Sequence, residues 1–166
     1  AVKLFPGLVP VGFDLADLHA DRTLGAVGGI FGKDGIQAFA KSTFFQWDCS
    51  AESQNTVVYG HNMNDGTMFA VLQKMTDEAF RNEHSKILLQ TSNGLREYQI
   101  AAVLKTDNRT EFADHADFLS FQKELFAQSL YESQTIHGED CRLLTLVTCS
   151  YEWENARTVV IAAEVR

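Results

Sequence analysis

The cysteine at position 149 is the residue of this sequence best suited to chemistry. It ends the apolar run Thr-Leu-Val-Thr-Cys at residues 145–149, and a polar, aromatic loop follows it. A thiol at the end of a strand is accessible in a way that a mid-strand thiol is not, and its thiolate is a strong nucleophile. Cysteine is also a small hydrophobe that commonly closes a core strand. Cys149 is therefore either a nucleophile or a packing residue.

Two further residues could act together with this thiol. Arg157 lies eight residues after Cys149, so its guanidinium returns to the thiol if the two strands are neighbours. A fixed positive charge there favours the thiolate and stabilises an oxyanion, although an ordinary edge-strand arginine is the alternative. His61 follows the strand-like residues 56–60, and an imidazole near a thiol can deliver a proton to a leaving amine. A solvated surface histidine is the alternative there.

Metal and nucleotide sites are not expected from the remaining residues. The three cysteines are too irregularly spaced for a zinc site or a disulfide framework, and no two histidines have the i, i+4 spacing of a helical zinc motif. The glycine-punctuated residues 25–35 lack the Lys-Ser or Lys-Thr pair of a phosphate loop, because Asp34 follows Lys33. We therefore expect no cofactor.

Length and charge limit the other classes of function. The chain has 166 residues, 45% of them hydrophobic, which is enough for one buried core, so we expect a single domain over residues 1–166. A formal net charge of −8 repels nucleic acid and anionic lipid surfaces, so no nucleic-acid partner is expected. No apolar run approaches the roughly 20 residues that span a bilayer. The chain begins without Met, which suggests the excised soluble portion of something longer.

The elements that would position these residues are mostly strands. Runs of β-branched and aromatic residues predict the strands, and the Asn-Gly pair at 93–94 predicts a tight hairpin. Two short helices are predicted between residues 64 and 83, and a longer one over 111–132 with Asp117 as its N-cap. The order fits a mainly antiparallel β-barrel with inserted helices. The predicted strands are residues 42–47, 55–60, 86–91, 95–105, 142–149 and 158–165.

Five segments carry a family pattern in order along the chain. They are Val-Val-Tyr-Gly-His-Asn-Met at 57–63, Asp-Gly-Thr-Met-Phe at 65–69, Thr-Leu-Val-Thr-Cys at 145–149, Tyr-Glu-Trp at 151–153 and Ala-Arg at 156–157. Together they resemble the class B sortases, which are cysteine transpeptidases of Gram-positive bacteria. The resemblance covers residues 42–166, the barrel core. Residues 1–41 match poorly, because the Gly-Trp-Ile-like and Asp-Tyr-Pro-Val-like segments of that family are missing there.

The resemblance implies a fold and three roles. The fold would be mainly β, a sortase-like closed β-barrel with inserted helices, including a long helix before the strand that carries Cys149. Cys149 would be the nucleophile, His61 the general acid and base, and Arg157 the residue that stabilises the substrate carbonyl. The resemblance implies neither a metal nor a cofactor. The apolar face of the long helix is expected to be core, and the loops at its ends, residues 106–112 and 133–138, are expected to influence the choice of peptide.

The implied reaction cleaves a C-terminal sorting motif after its Thr and transfers the acyl group through a Cys149 thioester to an amine. The substrate would be an Asn-Pro-x-Thr type peptide of a secreted surface protein, and the acceptor an amine of a peptidoglycan precursor or of a pilin. The family acts at the extracellular face of the cell membrane, anchored by a segment absent from this chain. Three alternatives stay open: a pilin-polymerising sortase, a cysteine peptidase that only hydrolyses, and a non-catalytic β-barrel binding module.

Overall fold

A computed structural model describes the protein as one sheet with helical segments on both faces. The residues that the structure describes are 43–46, 49–50, 52–66, 68–91, 94–110, 112, 117–131, 138 and 140–165. Residues 1–41 lie outside these ranges. The expectation of one domain over residues 1–166 therefore stays a prediction.

Six strands of the described residues form the sheet: β1 Thr43–Phe45, β2 Asn55–Gly60, β3 Lys86–Thr91, β4 Gly94–Asp107, β5 Leu143–Cys149 and β6 Ala156–Glu164. Their order across the sheet is β1-β2-β5-β6-β4-β3. Neighbours are antiparallel except β2 and β5, which are parallel. The expected mainly β, mainly antiparallel fold is confirmed. Within the described ranges β1 and β3 are the two edge strands, so closure into a complete barrel stays a prediction.

The hairpin of β3 and β4 forms where the Asn-Gly pair predicts it. Thr91 pairs with Gly94, and the φ angle of Gly94 is 120°. Glycine enters that region without the steric cost that a Cβ atom brings. β4 then pairs with β6 along its other edge as far as Asp107, which carries the chain to the end of the sheet where β5 finishes.

Three helical segments accompany the sheet in the described part of the chain: a 3-10 helix Phe69–Thr76, α1 Glu78–Glu83 and α2 Phe118–Ala127. Asp77 caps α1 and Asp117 caps α2, because each carboxylate accepts a hydrogen bond from the N–H three residues later, at 2.8 and 3.0 Å. The two short helices predicted between residues 64 and 83 are confirmed, as is the cap at Asp117.

α2 extends less far than the predicted helix over 111–132. Its last residue is Ala127, after which Leu130 donates its N–H to the carbonyl oxygen of Val103 in β4 at 2.8 Å. The chain leaves the helix because the sheet supplies this hydrogen bond in place of the next helical turn. The apolar periodicity cannot reveal that exchange, since leucine suits both environments. Residues 113–116 lie outside the described ranges.

Each face of the sheet buries its own apolar cluster. Strand side chains alternate between the faces, and we name the faces by what covers them. The 3-10 face packs β-strand residues such as Leu146 against Phe69 and Leu72, and the α2 face packs residues such as Val147 against α2. The predicted apolar face of α2 is buried, which confirms that it is core; its members are Phe118, Phe121 and Leu125.

Gly60 ends β2 in contact with the buried ring of Phe69. A Cβ atom at position 60 would lie 2.6 Å from ring atoms Cγ and Cδ2 of Phe69, whose side chain is fully buried. We expect Gly60→Ala to lower the free energy of unfolding by about 1–3 kcal/mol, because the ring cannot yield without strain. Urea denaturation measures this. Gly138→Ala is the control, since a Cβ there meets nothing within 4 Å; equal losses in the two variants would contradict the packing argument.

Candidate active site

Three adjacent strands bring the predicted site residues to one end of the sheet. Cys149 is the last residue of β5, and its direct partner in β6 is Arg157. β2 lies on the other side of β5 with Gly60 opposite Thr148, so His61 emerges from β2 beside Cys149. The structure therefore places these three residues at the same end of neighbouring strands, which the sequence allowed but could not show. Their chemical roles stay predictions.

A cleft of about 330 Å³ opens at this end of the sheet, and His61, Cys149 and Arg157 all line it. Because side chains alternate along a strand, Cys149 and Arg157 belong to the α2 face. Further walls come from β2, from β5 and from the segment after β4. These walls include Tyr59, Val147, Asn108, Thr110 and Phe112. The predicted contribution of the loop at 106–112 fits this lining, whereas residues 133–137 lie outside the described ranges.

The guanidinium of Arg157 is anchored by the loop that precedes it. Its Nη1 atom donates to the carbonyl oxygens of Asn155 at 3.2 Å and Ala156 at 2.9 Å. Asn155 has a φ angle of 63°, which turns the chain sharply into β6. A guanidinium carries five N–H donors, so two contacts through one nitrogen leave capacity for an oxyanion in the cleft. The guanidinium is thus held through one of its terminal nitrogens, and the side chain is half-buried beside Cys149.

The main chain around His61 is held while its side chain is exposed. The carbonyl oxygen of His61 accepts the N–H of Phe69 at 3.0 Å, which closes a short loop. The preceding carbonyl, on Gly60, accepts the hydroxyl of Thr148 at 2.7 Å and ties β2 to β5. An imidazole fixed at its base but open to solvent can exchange protons with a bound peptide and with water.

The carbonyl oxygen of Cys149 accepts two side-chain amides. Asn62 Nδ2 donates to it at 2.9 Å and Gln73 Nε2 at 3.0 Å. Asn62 belongs to the family segment at 57–63, so its position in the sequence already indicated that it lies near the site. Gln73 gave none, because a polar residue on an amphipathic helix is normally a solvated one.

A lysine stabilises the loop that follows the cysteine. Lys105 Nζ donates to Glu152 Oε1 at 2.5 Å, and this hydrogen bond is the main cause that lowers the pKa of Glu152 from 4.5 to about 2. A carboxyl group with a depressed pKa in the folded state stabilises that state above its unfolded pKa and loses the contribution as the pH falls. The contribution of this pair to folding stability is therefore fully present above about pH 4.5 and is lost as the pH falls toward 2.

This ion pair predicts a pH-dependent difference between the protein and Glu152→Gln. We expect the variant to melt about 1–2 °C lower at pH 6, since Glu152 is 45% exposed and exposed pairs stabilise little. The difference should shrink as the pH falls through 4 to 3. Thermal melts at each pH measure it, with Glu154→Gln in the same loop as the matched control. A difference that does not change with pH would assign the effect to something other than the ionised pair.

A buried polar chain fixes the wall of the cleft formed by Phe112. Asn55 Nδ2 donates to the Phe112 carbonyl at 2.6 Å, and Thr145 Oγ1 donates to Asn55 Oδ1 at 2.7 Å. Both polar side chains are fully buried. Their roles were not predictable from the sequence, because Asn55 and Phe112 are 57 positions apart and Thr145 and Asn55 are 90 positions apart.

The other two cysteines belong to the core rather than to the cleft. Cys49 is buried and its Sγ donates to the carbonyl of Val57 at 3.4 Å, while Cys141 is half-buried against the same apolar cluster. In the part of the chain that the structure describes, no group of three or more His, Cys, Asp and Glu side chains is placed to hold a metal ion. Among the described helices none has the length and apolar character to cross a bilayer.

The sequence of residues 33–165 matches the Sortase domain family. The chain belongs to the sortase family. Sortase B of Listeria monocytogenes is 36% identical over 115 residues, which cover 64% of this chain and 46% of that protein. The chain thus spans less than half the length of that relative. The resemblance to class B sortases is confirmed at the level of the family.

Solved sortase structures share the fold of this chain. The structure of Clostridium perfringens sortase B matches with a TM-score of 0.66 and 31% identity, covering 78% of this chain and 76% of the other. A Staphylococcus aureus sortase B-substrate complex matches with a TM-score of 0.65 and 28% identity, covering 76% of this chain and 62% of the other. The sheet that carries the cleft therefore has the same fold as the sheet of these sortase B structures.

Proposed function

We propose that this chain is the catalytic domain of a class B sortase, a cysteine transpeptidase in which Cys149 is the nucleophile. The observation that carries the proposal is the register of three strands: Cys149 directly opposite Arg157, with His61 at the end of the neighbouring strand and all three lining one cleft. A nucleophile, a proton carrier and an oxyanion donor at one site are the parts that acyl transfer requires.

In the first half of the reaction the Cys149 thiolate attacks the carbonyl carbon of the Thr in a sorting motif. A C–S bond forms, the C–N bond of the peptide breaks, and His61 gives its proton to the departing amine. Arg157 donates hydrogen bonds to the oxyanion of the tetrahedral intermediate. A positively charged donor stabilises the developing negative charge more than the neutral carbonyl of the substrate, so it lowers the barrier.

In the second half an acceptor amine attacks the thioester. His61 takes the proton of the attacking nitrogen, the new amide bond forms and Cys149 leaves as a thiolate. The thioester conserves the energy of the broken peptide bond, so the exchange needs no further energy source. Water in place of the amine would give plain hydrolysis with the same three residues.

The substrate we propose is an Asn-Pro-x-Thr type peptide at the C-terminus of a secreted surface protein. A cleft of about 330 Å³ lies at the lower end of the sizes that ligand sites have, about 300–1,000 Å³. The S. aureus relative is solved as a sortase B-substrate complex, which supports substrate binding by this fold. The acceptor would be an amine of a peptidoglycan precursor or of a pilin, and the site of action the extracellular face of the cell membrane.

Product analysis by mass spectrometry tests this function. The protein is offered Asn-Pro-x-Thr and Leu-Pro-x-Thr peptides, each with and without candidate amines such as triglycine. We expect cleavage after Thr in the Asn-Pro peptides and a new amide product when the amine is present. Hydrolysis alone under all conditions would favour a cysteine peptidase, and a preference for Leu-Pro peptides would overturn the substrate assignment.

A charged thiol reagent separates an enzyme from a non-catalytic binding module. Cys149 is half-buried and lines the cleft, so we expect it to be labelled while the buried Cys49 is not. Mass mapping of the labelled peptides identifies the thiol. A protein that stays unlabelled at Cys149 would support the packing role instead.

The shape of the Arg157 side chain predicts a large effect of a conservative change. Arg157→Lys keeps the charge but loses the planar fork of N–H donors, so we expect kcat to fall about 10²-fold with little change in stability. Steady-state kinetics and a thermal melt measure the two effects. Arg142→Lys is the matched control, because Arg142 pairs with Glu52 at 2.9 Å beside the start of β5, at the other end of that strand from Cys149. Near-normal turnover by Arg157→Lys would reduce the role of Arg157 to a diffuse charge.

A further inference from the structure

The peptide group between Cys149 and Ser150 is held from both sides. Its oxygen accepts Asn62 Nδ2 and Gln73 Nε2, and its N–H donates to the carbonyl of Ala156 at 2.9 Å. The pairing of β5 with β2 ends one residue before Cys149. The two side-chain amides therefore continue the hydrogen bonding that β2 supplies to the rest of β5.

Lys105 determines which way the Gln73 amide points. Its Nζ atom lies 2.8 Å from Gln73 Oε1, and an ammonium group can only donate, so the oxygen of the amide must face it. The hydroxyl of Thr158 donates to the same oxygen at 2.8 Å. With its oxygen occupied on this side, the amide presents its NH₂ group to the Cys149 carbonyl.

The ammonium of Lys105 joins three elements. It donates to Gln73 in the 3-10 helix at 2.8 Å, to Thr158 in β6 at 2.7 Å and to Glu152 in the loop after the cysteine at 2.5 Å. These contacts use all three N–H donors of a lysine, and the side chain is only 14% exposed. The ammonium is therefore the part-buried centre of a polar network, of which only the Glu152 end is exposed to solvent.

The network lies on the opposite side of the sheet from the thiol. Lys105 pairs with Thr158, while the next row of the sheet pairs Thr106 with Arg157 and Arg157 with Cys149. Because alternate rows face opposite sides, Lys105 belongs to the 3-10 face and the cleft side chains to the α2 face. Lys105 and Gln73 therefore act on Cys149 through its main chain and do not contact a substrate in the cleft.

We propose that Gln73 and Lys105 are positioning residues, which lock the Cys149–Ser150 peptide group and so fix the direction of the nucleophile relative to Arg157. Lys105 acts through Gln73. The proposal rests on the proposed role of Cys149 as the nucleophile. Misplacement of a reacting group by about 1 Å costs about 10²-fold in rate. We call the chain of contacts from Lys105 through Gln73 to the Cys149 carbonyl the relay. Because the relay limits movement of the Cys149 main chain, its loss should have a measurable effect on turnover.

Two single variants and their combination test the relay. Gln73→Met keeps the length of the side chain without the amide, and Lys105→Met removes the ammonium. In each we expect kcat to fall about 10-fold while KM for the peptide changes less than about twofold. Hydrogen exchange at the Ser150 amide should become about 10-fold faster, because its peptide group loses a hydrogen bond. Lys86→Met, which breaks the 2.5 Å pair with Glu97, is the matched control and should change neither quantity.

The combined variant distinguishes a relay from two independent contacts. If Lys105 acts through Gln73, Gln73→Met with Lys105→Met is no slower than the slower single variant. Multiplied losses overturn the relay, and unchanged kcat or unchanged Ser150 exchange in both single variants overturns the positioning role. If the unmodified protein cleaves no sorting peptide, the proposed function fails. The Ser150 exchange rates of the parent, the two single variants and the combined variant still decide whether the relay holds the peptide group.

Discussion

We expect Cys149→Ala to form no cleavage product and no thioester while it folds like the parent protein. The substitution removes a single sulfur from the half-buried end of β5, so little packing is lost, but the sulfur that we propose as the nucleophile is gone. Peptide turnover and intact mass after incubation with a sorting peptide measure the two losses. A thermal melt close to that of the parent protein excludes unfolding as the cause.

Cys141→Ala is the matched control for that variant. Cys141 is half-buried like Cys149, but it packs against the core cluster on the α2 face. We expect its turnover and its thioester yield to equal those of the parent. Appreciable turnover by Cys149→Ala, or loss of the thioester in a folded Cys141→Ala protein, would mean that a different thiol carries the reaction.

His61→Ala should be the second most damaging change. We expect kcat to fall by about 10²–10⁴-fold, the range for removal of a general acid and base. Stability should hardly change, because the imidazole is exposed and the hydrogen bonds at this point belong to the main chain of His61. The proposed mechanism needs the proton carrier in both halves of the reaction. Single-turnover kinetics measure the rates of thioester formation and of acyl transfer separately.

His84→Ala is the control for the loss of an imidazole. The His84 ring stacks on Phe80 at a centroid distance of 4.1 Å at the end of α1. We expect a modest fall in melting temperature and normal turnover. Near-normal turnover by His61→Ala would leave the cleft with a nucleophile and an oxyanion donor but with a proton carrier that has yet to be located.

The sequence located Cys149, His61 and Arg157 because each of them stands at or next to the end of a strand, while their chemical roles stay predictions. Cys149 ends one β-branched, apolar run and His61 directly follows another, and polar turn residues after such a run indicate the end of a strand. The hairpin at Gly94 and the cap at Asp117 were predictable for a similar reason, since local backbone chemistry determines them. Local patterns thus located these residues without knowledge of their partners.

The sequence could not reveal contacts that join distant segments. Gln73, Lys105 and the Cys149 carbonyl come from three different elements, and each of the two side chains suits a solvated position equally well. The buried Asn55 that holds the Phe112 carbonyl gave no signal either, because Asn is usually an exposed residue. The end of α2 was missed since the sheet supplies a hydrogen bond that no periodicity describes.

The parallel pairing of β2 with β5 affects how the protein folds. The hydrogen bond from Thr148 to Gly60 joins residues 88 positions apart, whereas Thr91 and Gly94 close the β3–β4 hairpin locally. Long loops close late because their entropy must be overcome before the contact is rewarded. The hairpin and helices can therefore form early in refolding, while His61 and Cys149 meet only when the long-range pairing of β2 with β5 is in place. A thiol that waits through this interval is exposed to oxidation, so reducing conditions during refolding protect the yield of active protein.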